Sequence, residues 1–206
     1  MSFQYVIDNA TSIGISKRKK VAQTVSRSGV VRSTSLGGQV YEFSVELPNG
    51  IRWSDNRRLI ELVEALDRTT EDTIAIDKES HSYINGYLGN LSLDSTAITV
   101  SYASGNTLTI TAGTSGLTSG QFKFRAGDYI QLQDSPGSVY TVVADVDHNS
   151  NTITVHRPIR ESAGNYTLSV GQNVSWRVLC VSMPTFTIFG YDQVSWSGPF
   201  VFVEAI

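Results

Sequence analysis

One stretch of the chain, "SDNRRLIELVEALDR" at 54–68, repeats its apolar residues at helical spacing. Leu59, Ile60, Leu62, Val63 and Leu66 form a single stripe, while Arg57, Arg58, Glu61, Glu64 and Asp67 cover the other faces. One amphipathic helix cannot bury its own stripe, so the rest of the chain must supply a sheet for it. Ser54 predicts an N-cap, and Asp55 suits the positive end of the helix dipole. Just before the helix, "QVYEFSVELPNGIRW" alternates apolar and polar residues over 40–47, and "PNG" at 48–50 predicts the tight turn of a hairpin.

The remainder reads as strands and turns. Nine Tyr and seventeen Gly fit a β-rich chain with many turns. A short strand at 73–76 follows the helix. Strand-like runs then come at 97–102, 107–112, 128–133, 138–146 and 151–157, with "DHNSN" at 147–151 as a hairpin signal. Five short strands without a long helix predict a small barrel of the oligonucleotide/oligosaccharide-binding (OB) type. Residues 174–206 return to long apolar runs, "VSWRVLCVSM", "TFTIFGY" and "PFVFVEAI". Termini fray unless something ties them down, so the apolar run Phe200–Val203 needs a partner strand. The economical arrangement is a mainly β, discontinuous sandwich or barrel domain with one helix, residues 1–84 with 178–206. An OB-like barrel over 85–177 is then inserted near the Asn85-Gly86 turn.

Charge is uneven along the chain. Residues 1–40 carry Lys17, Arg18, Lys19, Lys20, Arg27 and Arg32 against Asp8 alone, whereas 91–120 hold no Lys or Arg. "SKRKK" at 16–20 is the sharpest charged feature and predicts electrostatic docking to another protein or another copy of the chain. Trp196, Phe200 and Phe202 exceed what a small domain easily buries, which makes them candidate inter-subunit contacts beside Lys17, Arg18, Lys19 and Lys20. Phosphate contact by the basic run is the rival reading. Stacking aromatics for nucleic acid are confined to "FKFR" at 122–125 and "HRPIR" at 156–160. The net charge of −3 argues for neither nucleic acid nor an acidic membrane.

Signals for chemistry are few. Cys180 is the single cysteine, which excludes an internal disulfide, and its apolar surroundings predict a buried thiol. His81, His148 and His156 have no metal-ligand spacing. "DVDHNS" at 145–150 starts like a calcium loop, but Ser150 and His156 stand where Gly and Glu are needed, so a turn is expected. Asp128 in "AGDYIQL" is expected to satisfy turn amides. GxSxG, P-loop and dinucleotide motifs are absent, so no catalytic residue, cofactor or metal site is predicted. The N-terminus lacks the pattern of a secretory signal, and no apolar stretch reaches the ~18 residues of a membrane span. Synthesis in a cytoplasm is the expectation.

The order of these features resembles the distal tail protein family of long-tailed bacteriophages. It rests on "VYEFSVELPNGIRWSDNRRLIELVEALDR", then "AGDYIQL", "SVYTVVADV" and "NTITVHRPIR", then "FTIFGYDQVSWSGPFVFVEAI", and covers essentially the whole chain. The resemblance implies a non-enzymatic virion protein in a ring of six copies at the tail tip or baseplate hub. It implies the tail tube, baseplate proteins and side fibres as partners, and nucleic acid only as the genome passing through the ring. Two other readings stay open: a carbohydrate-binding module stacking sugars on Tyr102, Tyr129, Tyr140 or Tyr166, and a barrel that binds single-stranded nucleic acid.

Overall fold

The computed structural model describes residues 3–17, 21–35, 38–65, 69–93, 97–133 and 137–205. The fold is mainly β, with one main helix and sheets that curl into sandwich and barrel forms. The chain divides into two compact units, Met1–Thr73 with Val178–Ala205, and Ile74–Arg177. The first crossover therefore falls at 73/74, ahead of the Asn85-Gly86 turn.

In chain order the elements begin with helix α1 (Phe3–Asp8) and strands β1 (Ser12–Ser16), β2 (Val21–Val25), β3 (Val31–Ser35), β4 (Glu42–Glu46) and β5 (Ile51–Arg52). Helix α2 (Trp53–Glu64) and β6 (Asp72–Ala75) follow. The second unit holds β7 (Thr99–Tyr102), β8 (Thr107–Ala112), β9 (Phe122–Phe124), β10 (Tyr129–Leu132), β11 (Val139–Thr141), β12 (Val146–Asp147), β13 (Thr152–Thr154) and β14 (Gly164–Val170). Then come β15 (Ser175–Ser182), β16 (Phe186–Phe189), β17 (Gln193–Trp196) and β18 (Phe200–Glu204).

A five-stranded sheet, β1-β4-β18-β15-β6, organises the first unit. The alternation read at 40–47 sends Tyr41, Phe43, Val45 and Leu47 into the core and leaves Glu42 and Glu46 exposed. The closing strand β18 lies between β4 and β15, pairing Phe202 with Phe43 and Phe200 with Val45. Full burial of Phe200 and Phe202 contributes about 1.5–3 kcal/mol each. An apolar end strand is thus a central strand, which accounts for its composition.

Helix α2 buries Leu59, Ile60 and Val63, as the stripe requires. It begins at Trp53, with Arg52 at the N-cap and no side-chain cap bond, so Ser54 is not the cap. Turn "PNG" also acts differently from expectation. Gly50 takes φ +80°, but β4 and β5 do not pair; β5 pairs β17 in a separate sheet, β16-β17-β5. The turn moves the chain from one sheet to another. The short helix α1, with Phe3, Val6 and Ile7 buried, has no counterpart in the sequence reading.

The second unit has six strands in its sheet, ordered β11-β10-β14-β7-β8-β13, where the sequence spacing suggests five. A bridge between Val142 and Val155 joins the two ends, so the sheet curls round on itself. With that bridge setting β13 beside β11, the order β14-β10-β11-β13 follows a Greek key. Inward residues such as Val100, Leu108, Ile130, Tyr140, Ile153 and Leu168 form its core. "DHNSN" is a turn, but its flanks belong to different pairs, β12 with β9 and β13 with β8.

Candidate assembly surface

The most unusual surface is the hairpin β2–β3. Among the described residues its strands pair only with each other, in register from Val21 opposite Ser35 to Val25 opposite Val31. The connection is well made. Ser26 N–H donates to the Val30 carbonyl at 3.0 Å, Gly29 N–H to the Ser26 carbonyl at 2.9 Å, and Val30 N–H to Ser26 Oγ at 3.2 Å. Gly29 sits at φ +80°, which a glycine adopts without a Cβ penalty. Despite this order, the hairpin covers almost nothing. Val25, Val30 and Val31 are 69%, 53% and 59% exposed, and residues 23–34 are exposed throughout. A two-stranded hairpin is marginal alone in water, and open edges invite further strands. Arg27 and Arg32 give this arm a positive charge with no acid within 21–35.

Lys17 lies just ahead of the arm. It is half-buried, and burial lowers the pKa of its ammonium group. The Gln39 side-chain amide donates to its carbonyl. Arg18, Lys19 and Lys20, the rest of the predicted basic cluster, lie outside the described residues. The aromatic candidates are corrected by their burial. Phe200 and Phe202 have no exposed surface and Trp196 only 8%, so they serve the unit's own core. They belong to an aromatic series running Trp53–Phe186–Trp196–Phe200–Phe202–Phe3, with successive ring centroids 5.0–6.4 Å apart.

A second exposed apolar surface, missed in the sequence, lies on the β16–β17 hairpin. Strand β16 is at the edge of its three-stranded sheet. Ile188 and Phe189 are 50% and 47% exposed, and Tyr191 at the tip is fully exposed. Asp192 beside it is also exposed; its carbonyl accepts Trp53 N–H at 2.8 Å and its carboxylate accepts the Ser54 hydroxyl at 3.4 Å. It caps α2 from a strand hairpin distant in sequence. "TFTIFGY" carried the signal for this surface, because a run apolar on both faces at a sheet edge must expose one of them.

No family model matches the chain, and no curated protein sequence matches it. Of the second-unit residues read as candidates for sugar or nucleic-acid stacking, one tyrosine is buried and three are partly buried. Tyr140 is fully buried, its hydroxyl donating to Glu161 Oε2 at 2.5 Å and accepting from Arg160 N–H at 2.9 Å. Tyr102, Tyr129 and Tyr166 are partly buried; Tyr129 packs edge-on to Trp176, and the other two hydroxyls donate to the carbonyls of Ile159 and Ser162. In "FKFR", Phe124 and Lys123 are buried, the ammonium group donating to Ser150 O at 2.8 Å and Asn151 Oδ1 at 2.6 Å. In "HRPIR", Arg157 is buried and donates to the Val139 carbonyl at 3.0 Å.

The acidic turns resolve in the same way. Asp128 accepts Leu88 N–H at 2.8 Å on one oxygen and Arg125 N–H at 2.7 Å on the other. Burial pushes its carboxyl pKa up, and those two amides with the Arg125 guanidinium pull it back. Asp147 accepts the amides of Asn149 and Ser150, so the calcium-like segment is a turn. Cys180 is buried. No described helix is long and apolar enough to cross a membrane.

Proposed function

We propose that this chain is a non-enzymatic structural subunit of a bacteriophage tail. Six copies form a ring at the distal tail or baseplate hub and join the tail tube to the adsorption apparatus. One observation carries the reading: an ordered hairpin arm on which Val25, Val30, Val31, Arg27 and Arg32 are all exposed. A chain that builds such an arm is made to complete itself against a neighbour. Also in favour is the closing strand, which returns to pair with β4 and leaves the intervening residues as an insertion. The inserted barrel is then a platform for side fibres or other tail proteins.

Negative-stain microscopy of the purified full chain tests this reading. A six-fold ring with a central hole is expected. A particle that stays monomeric at every concentration overturns it.

A further inference from the structure

We propose that the β2–β3 arm of one copy docks along the open edge of β16 in a second copy of this chain. The proposal rests on the ring reading and names the two surfaces that join. Both belong to the same compact unit, and both are exposed there, so their pairing is intermolecular. Their chemistry is complementary. The arm presents Val25, Val30 and Val31 with Arg27 and Arg32; the β16 hairpin presents Ile188, Phe189 and Tyr191, with Asp192 as the single charge in 185–197. Lengths also match, five residues in each arm strand against four in β16.

Strand addition supplies main-chain hydrogen bonds to an edge with no partner strand among the described residues, and the apolar side chains follow by alternation. The contact joins two different surfaces, so it is heterologous. Repetition of a heterologous contact closes into a ring when the rotation per copy divides a full turn. A symmetric pairing of arm with arm would instead bring like charges together, Arg27 and Arg32 against themselves.

The test uses two full-length variants, Val31→Asp on the arm and Ile188→Lys on the edge. Both sites are exposed, so the circular dichroism spectrum and melting temperature are expected to match wild type. In analytical ultracentrifugation wild type assembles, and each variant alone remains monomeric at concentrations tenfold above the wild-type assembly point. An equimolar mixture assembles again, because the acidic arm of one meets the basic edge of the other while the native arm meets the native edge. Wild-type assembly that persists in each variant, or a mixture that stays monomeric, overturns the surface pairing and leaves the ring reading standing. A wild-type chain that never assembles overturns both.

Discussion

Tyr191 and Asp192 both adopt left-handed backbone angles, φ 58° and 68°, at the tip of the β16–β17 hairpin. Such angles cost an L-residue about 1–2 kcal/mol each. At 192 the backbone carbonyl accepts the first amide of α2, where Arg52 supplies no side-chain bond, and the carboxylate accepts the Ser54 hydroxyl. Asp192→Ala keeps that carbonyl bond and loses only the carboxylate beside the helix N-terminus, so it is expected to lower stability by about 0.3–1 kcal/mol in urea denaturation. Tyr191 is fully exposed, and Tyr191→Gly is expected to raise stability by about 0.5–1 kcal/mol in the same measurement. Tyr87 gives a pH signature. Its hydroxyl donates to the Lys123 carbonyl and accepts Leu91 N–H at 3.1 Å, and burial pushes its pKa up to about 12 from 10.0. The folded state holds this proton more tightly than the unfolded state. Its contribution is complete below about pH 10 and is lost as pH rises towards 12. Tyr87→Phe should flatten the fall in stability across that window, followed by denaturation at stepped pH. The roles of Asp192 and Tyr87 are not visible in the sequence, because each depends on a partner from a distant part of the chain.

Among the elements, the closing strand carries the clearest prediction. β18 has β4 on one side and β15 on the other, so removing residues from Phe200 onward takes out the middle of a sheet. The truncated chain is expected to lose the first unit and keep the barrel, seen as protease digestion to a resistant fragment within 74–177. A truncated chain that keeps both units refutes this. Strands read from alternation were legible in the sequence: β4, β8 and β10 lie within or on their expected runs. Pairing was not. "PNG" and "DHNSN" each mark a turn, yet the strands beside them choose partners elsewhere. Turn chemistry is local, whereas pairing is decided by which edges the core leaves available. β14 is not legible in the sequence although Tyr166, Leu168 and Val170 alternate, because polar Asn165, Thr167 and Ser169 between them weaken the run. It is central to the barrel, between β10 and β7.

At the scale of the molecule, two units with separate cores should separate in experiment. A fragment of residues 74–177 is expected to give a dispersed NMR spectrum, since its apolar cluster is drawn from its own strands. Residues 1–73 alone should not, because they lack β15 and β18. A dispersed spectrum from 1–73 would refute the discontinuous unit. By itself the sequence determined the β character, the position of one amphipathic helix and the return of the last strand to the opening segment. Those follow from periodicity and from the need to cover an apolar run, which are properties of neighbouring residues. Only the tertiary structure decided which apolar residues face water. Trp196, Phe200 and Phe202 read as surplus aromatics, yet a continuous ring series absorbs them, while the modest valines of the arm are left outside. Composition records how much apolar surface a chain carries. Which of it remains exposed depends on sheet order, and that is set by contacts between residues far apart in the chain.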